Sequence, residues 1–310
     1  MATERGPSAP ALFLIATLLW GTTWYAIKFE LGVVAPEISV VYRFAAAGAL
    51  LMLWCAATRR SLAFGRRDHA FLAAVGVLLF GLNYSAIYLA EAYATSGLVA
   101  VVFSTIVFMS PIGMRLAFRT ALSARVFVAA TLGVAGVALL FLPELVAAQA
   151  GGEVAIGIAY ALVGTLLATA GNLVAVRNQR AGIPTFTGTA WGMLYGALSA
   201  ALAALVHGVP WTIDTRPAYW IAFAYLVGGG SIAAFGAYLT LLKRVGAGPS
   251  AFVSVVTPIV ALTVSTLLED YRWTVVAVCG VVLAVGGNLL MLPAAAWHRV
   301  FTRGAAPPRR

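Results

Sequence analysis

The sequence predicts an all-α membrane protein, with ten transmembrane helices arranged as two inverted five-helix repeats. Three observations predict it. The first is composition: of 310 residues, 62% are hydrophobic and only 10% are charged, with a mean hydropathy of +0.95. Soluble domains carry about 25% charged residues, so a large soluble domain is excluded. The second is an alternation of charge in the gaps between apolar stretches. Arg59, Arg60, Arg66 and Arg67 share one gap, and Arg115, Arg119 and Arg125 another. Arg177 with Arg180, Lys243 with Arg244, and Arg299, Arg303, Arg309 and Arg310 follow. The intervening gaps hold mostly acids: Glu30 and Glu37, Glu91, Glu144 and Glu153, Asp214, then Glu269 and Asp270. Of the 20 Lys and Arg, only Lys28, Arg216 and Arg272 fall on this acidic side, and only Arg43 lies well inside a span. Basic loops are retained on the cytoplasmic side during insertion, so both termini are expected in the cytoplasm.

The third observation is a weak likeness between the halves. "SGLVAVVFSTIVF" from Ser96 lies on "PSAFVSVVTPIVA" from Pro249, and "AGVALLFLP" from Ala135 lies on "VGGNLLMLP" from Val285. Each half holds an odd number of spans, so the second half must enter the bilayer upside down. The expected units are residues 1–148 and 149–310, the latter ending in a short basic tail. Inverted repeats are a transporter architecture with a site near the midplane.

A helix needs about 20 residues to cross roughly 30 Å of hydrocarbon. Span one, 11–29, could be read as a signal peptide. It lacks a small-x-small cleavage site, and Trp20, Trp24 and Tyr25 crowd the place for one, so it is expected to be a retained helix. Trp20, Thr23 and Trp24 share a face. They line a cavity or simply pack. Span two, 37–57, carries Arg43, which snorkels outward, pairs with Glu91 or Glu37, or anchors a substrate carboxylate. Span three, 70–92, carries Asn83 and sets Tyr84, Tyr88 and Glu91 on one face. Two phenols there offer hydrogen bonds and apolar ring area to a solute.

Span four, 95–118, holds Ser104 and the hinge candidate Pro111; span five runs 124–143. Span six, 155–176, repeats Thr165, Thr169 and Asn172 on one face, and span seven, 185–208, places Trp191 and Tyr195 one turn apart. Span eight, 217–242, contains Gly228-Gly229-Gly230. No strand precedes this run and no Lys-Ser/Thr follows, so it marks close helix approach rather than a phosphate cradle. Span nine, 248–269, carries Ser250, Ser254 and Thr257 on one face and a second hinge candidate, Pro258; span ten, 273–293, carries Gly286-Gly287. Hydroxyls in such helices commonly bond the backbone one turn back, so Ser104, Ser254 and Thr257 either face solute or serve the helix. Asn172 must be paired or face inward.

"LLWGTTWYAIK" from Leu18, "YRFAAAGALL" from Tyr42, "AYATSGLVAVVFSTIVFMSP" from Ala92 and "GAGPSAFVSVVTPIVALTVSTLLED" from Gly246 occur in this order, followed by "GVVLAVGGNLL" from Gly280. In these segments the chain resembles the drug/metabolite transporter superfamily, in its EamA-type, ten-span branch. One departure is Arg119, where the family often has an acid after the fourth span. The resemblance implies an exporter of small metabolites, amino acids included.

The expected function is therefore inner-membrane export of amino acids or related amphipathic solutes by alternating access. Every acid sits in a loop or near a span end, which points to facilitated diffusion with Glu91 as the one titrating site. A multidrug or lipid-linked carrier, proton-coupled or not, is the main rival. An intramembrane enzyme and a non-transporting scaffold are weaker ones. No cofactor, metal or disulfide is expected: His69, His207 and His298 lack metal spacing, and Cys55 and Cys279 lie in spans. The net charge of +10 is spread over short loops that meet anionic lipid rather than nucleic acid. The partners expected are a small-molecule substrate and membrane lipids, and a monomer suffices for a complete pathway.

Overall fold

The computed structural model describes residues 7–147, 152–245, 250, 252–271 and 273–291. Among them there is no strand. In chain order the helices are α1 (Ala9–Lys28), α2 (Pro36–Ala57), α3 (Arg66–Tyr93) and α4 (Ser96–Phe118). Then come α5 (Ala124–Ala147), α6 (Glu153–Arg180), α7 (Thr185–Val206) and α8 (Pro217–Leu242). Two more, α9 (Phe252–Leu268) and α10 (Val275–Leu290), complete the order. Seven of these are long and apolar enough to cross a bilayer: α1 to α4 and α6 to α8. The shorter apolar helices Ala124–Leu140, Phe252–Leu268 and Val275–Leu290 stand where spans five, nine and ten are expected. Pro293, Arg272 and the basic tail lie outside the described residues, as do the side chains of Glu144 and Lys243.

Local chemistry sets the ends. Proline opens α1, α2 and α8, where the missing N–H costs nothing. Thr274 accepts from the Ala277 amide at 3.1 Å and starts α10. α3 begins four residues before the expected 70, at Arg66. α6 runs on from the expected 176 to Arg180, its guanidinium groups covering rings: Arg177 lies 3.6 Å from the Phe71 centroid and Arg180 4.4 Å from that of Phe118. α4 breaks at Thr105, whose hydroxyl bonds the Val102 carbonyl at 2.7 Å. Arg119, the departure noted above, closes α4 in the left-handed conformation with φ 56°.

α3 and α8 share an irregularity. Each widens into a π-helical segment, Gly76–Leu82 in α3 and Leu226–Ala233 in α8. The helix contacts also come in matched sets. α2 packs on α7, α4 on α9, and α5 on α10; α3 meets α6 as α8 meets α1, and α4 meets α6 as α9 meets α1. Exchanging each helix with the one five places on leaves this set unchanged. Backbones approach closely where glycines face each other. An added Cβ at Gly136 would stand 2.6 Å from the Gly280 carbonyl, and one at Gly280 2.7 Å from that of Gly136. Such contact lets dispersion hold helices together where lipid removes the hydrophobic drive. Leu53, Leu116, Val206 and Val275 are 66 to 82% exposed and form part of the lipid-facing surface.

Candidate functional site

Four helices converge on one buried polar relay. Arg43, in the second turn of α2, is only 2% exposed. Its Nε donates to Ser231 Oγ and its Nη1 to the Tyr88 hydroxyl, both at 3.2 Å. Tyr88 in turn donates to Glu30 Oε2 at 2.7 Å. Glu30, just past the end of α1, has no exposed surface, and its Oε1 has no hydrogen-bond partner among the described residues. Burial pushes its carboxyl up to about 7, against the lowering pull of the Tyr88 hydrogen bond and of Arg43. The ring of Tyr84 lies 4.9 Å below the Arg43 guanidinium and 4.6 Å from Phe44. Beside the relay, Ser39 and Tyr219 share a hydrogen bond of 3.1 Å.

This corrects the expected partner of Arg43. It makes no hydrogen bond to Glu91 or Glu37; the acid it reaches is Glu30, through the Tyr88 phenol, while its charge still acts on Glu91. Glu91, near the C-terminal end of α3, also has no exposure, and neither of its carboxyl oxygens is bonded among the described residues. Lys28 donates to the backbone carbonyl of Ala94 at 2.7 Å and lies 3.7 Å from Glu269 Oε1. Glu30 and Glu91, expected near span ends, are both enclosed by the fold.

Below the relay, between α2, the start of α7 and the second half of α8, lies a cavity of about 430 Å³. That is within the small-molecule range of roughly 300–1,000 Å³. Its head is Ser231; Leu51, Phe235 and Leu239 form apolar walls, Thr189 adds a hydroxyl, and the Thr240 hydroxyl donates to the Gly236 carbonyl at 2.7 Å. At its mouth Trp54 and Phe186 pack with centroids 5.1 Å apart. Arg60 covers both rings, at 4.6 and 5.1 Å.

None of the residues singled out from sequence lines this cavity. Trp20 is one layer behind, donating to the Gly230 carbonyl at 3.2 Å and packing edge-on to Phe235 at 5.1 Å. Thr23 bonds the Trp20 carbonyl and touches the Gly230 position. Trp24 packs on Phe103 at 5.3 Å. Asn83 bonds the Leu79 carbonyl at 3.0 Å beside the π segment of α3. Trp191 and Tyr195 form a separate cluster: Trp191 donates to the Leu62 carbonyl at 3.0 Å, and Tyr195 bonds His69 Nδ1 at 2.9 Å. Ser104 and Thr257 bond carbonyls in the preceding turn, each at 2.7 Å. Ser104 and Pro258 also face Asn288 across a crevice between α4, α9 and α10. Pro111, Asn172 and Ser254 are half-buried. Sequence reading missed Glu30, Ser231, Trp54, Phe186 and Phe235. None of these carried a local signal in the sequence.

A helical bundle with lipid-facing aliphatics, a buried charge relay and an apolar chamber beneath it defines a multi-pass membrane transporter. The chain belongs to the EamA-like transporter family, whose model matches it twice, over residues 8–142 and 155–292. It is similar to PagO of Salmonella typhimurium, 28% identical over 100 residues, which span 32% of this chain and 33% of PagO. It is similar to the uncharacterized inner membrane transporter YedA of Escherichia coli K12, 26% identical over 299 residues, 92% of each chain. One solved crystal structure has the same fold, with TM-score 0.64 at 18% identity over 95% of this chain and 99% of the other.

Proposed function

We propose that this EamA-family protein exports small amphipathic solutes, amino acids foremost, by alternating access. The observation that carries the reading is the chamber under Ser231: apolar and aromatic walls, the Thr189 hydroxyl, and a charged relay at one end. Such a lining suits a solute with a polar head and an apolar body. It does not suit polyphosphates, which need several buried cations.

The architecture we infer is ten spans in two inverted repeats, residues 1–148 and 149–310, with both termini cytoplasmic and the monomer complete. Support comes from the charge alternation, from the doubly matched family model, and from helix contacts that survive exchange of the halves. The paired π segments fall at equivalent places in α3 and α8, where a helix bends most readily. On this topology Arg60 and Trp54 mark the cytoplasmic mouth.

The test is efflux from a host overexpressing the protein, screened against amino acids, analogues and dyes. Raised tolerance or release confined to amino-acid analogues supports the reading. A second reading, a carrier of lipid-soluble drugs or lipid-linked metabolites, is favoured by one observation: Leu50 and Trp54, on the chamber's rim, are 49% and 40% exposed on the bundle's outer surface. Efflux confined to dyes would select it.

A further inference from the structure

We propose that Arg43 and Glu30 together recognise a zwitterion: the carboxylate of a free amino acid goes to Arg43, its ammonium to Glu30, and its side chain to the chamber below Ser231. The inference rests on the transport reading above and names the groups that would select the solute.

Charge bookkeeping carries the argument. At the head of the chamber Arg43 and Glu30 are joined through a single hydroxyl over 3.2 and 2.7 Å, and the enclosed Glu91, hydrogen-bonded to neither, also lies within reach of the Arg43 charge. A monoanion bound at Arg43 would leave an ionised Glu30 enclosed without a counter-charge and so require it to take up a proton. A monocation bound at Glu30 would strand Arg43. Uncompensated buried charge costs several kcal/mol, so both are disfavoured. A zwitterion leaves both groups paired.

The relay also has spare capacity. Glu30 Oε1 is a buried acceptor without a donor among the described residues, and an ammonium supplies donors. The groups facing Glu30 are Tyr88 from α3 and Arg43 from α2, with Tyr219 of α8 acting through Ser39. None of these offers Glu30 a second cation. Access runs through the π segment of α8. Gly230 and Ser231 form the partition between chamber and relay, and a Cβ at Gly230 would stand 3.4 Å from Arg43 Nη2. Because this partition is irregular helix carrying glycine, a small shift there opens Arg43 to the chamber.

The experiment uses the full chain purified in detergent and reads its thermal midpoint with L-phenylalanine, L-leucine, phenylalanine methyl ester and N-acetylphenylalanine. The ester lacks the carboxylate and the acetyl compound lacks the ammonium. The expected result is stabilisation by one or both free amino acids and none by the two blocked forms. Arg43→Gln and Glu30→Gln are each expected to weaken that binding at least about tenfold, as loss of a buried charge partner does. Should a variant fail to fold, the four-compound comparison on the unaltered chain decides alone. A blocked form that stabilises as well as phenylalanine overturns the inference, as does no response to either amino acid. Amino-acid efflux together with indifference to blocking would sink this inference while leaving the transport reading intact; efflux of dyes alone would sink the transport reading.

Discussion

Glu269 caps α4 from another helix: both of its carboxylate oxygens lie 3.2 Å from the amide nitrogen of Ser96. The hydroxyls of Ser96 and Ser265 bond the same carboxylate, and Ser265 Oγ also accepts from the Gly97 amide at 2.8 Å. A carboxylate there serves orphan amides and meets the positive end of the helix dipole. It also ties α9, in the second half, to α4 in the first. Removing it as Glu269→Ala is expected to cost about 1–2 kcal/mol, the value of a good cap. Glu269→Gln should lose less, since the amide oxygen still accepts. Thermal unfolding in detergent measures both, and an unchanged midpoint for Glu269→Ala would show that the cap holds nothing.

Glu30 gives a pH dependence with a definite sign. Its carboxyl is raised from an ordinary 4.5 to about 7 by burial. The folded protein therefore holds this proton where the unfolded chain has released it. Stability from this group is fully present below about 4.5, declines as pH rises toward 7, and is level above that. The whole difference is on the order of 3 kcal/mol. Glu30→Gln mimics the protonated form, so it should be at least as stable as the natural chain at alkaline pH and should flatten the decline. Unfolding midpoints of both proteins across this range test it. A natural chain that becomes more stable as pH rises from 4.5 to 7, with Glu30→Gln abolishing the gain, would reverse the assignment.

Residue by residue, the helices were legible and the site only partly so. Hydrocarbon thickness and loop charge locate the spans because both act on whole segments. Arg43 and Tyr88 stood out because a polar group within an apolar run demands a partner. Glu30 did not, since one residue beyond a helix reads as a solvated loop. Its burial is made by Tyr88, Ser39 and Tyr219 from three other helices or helix starts, which no local pattern records. The chamber was hidden for the opposite reason. Leu51, Phe235 and Leu239 look like any lipid-facing residue. A search for polar groups instead finds Ser104 and Thr257, whose hydroxyls are spent on their own backbone.

The α5–α10 contact should be intolerant of side-chain growth. A Cβ at Gly136 would lie 2.4 Å from the Ala284 nitrogen, and backbone there cannot swing aside. Gly136→Ala is expected to destabilise by about 1–3 kcal/mol, as overpacking does. Gly286 provides the contrast, with nothing within 4 Å of an added Cβ. Gly286→Ala should be neutral or slightly stabilising, because alanine suits a helix better by roughly 0.5–1 kcal/mol. Equal effects from the two substitutions would mean that the helices do not meet as described.

Gly236 tests whether the chamber is the transport path. It lines the cavity, and an added Cβ there would meet nothing within 4 Å. Gly236→Leu should therefore leave stability within about 0.5 kcal/mol of the natural chain, like a substitution at an unconstrained site. Transport should respond differently. A leucine projecting between Phe235 and the mouth removes volume the solute needs, and no compensating rotation of the rings is free while Arg60 covers Trp54 and Phe186. Efflux of whichever solute the screen identifies is expected to fall at least about tenfold, equivalent to about 1.4 kcal/mol. Trp54→Ala, which widens the mouth, should instead relax selectivity toward bulkier analogues. Undiminished efflux through Gly236→Leu, at normal abundance in the membrane, would place the path elsewhere in the bundle.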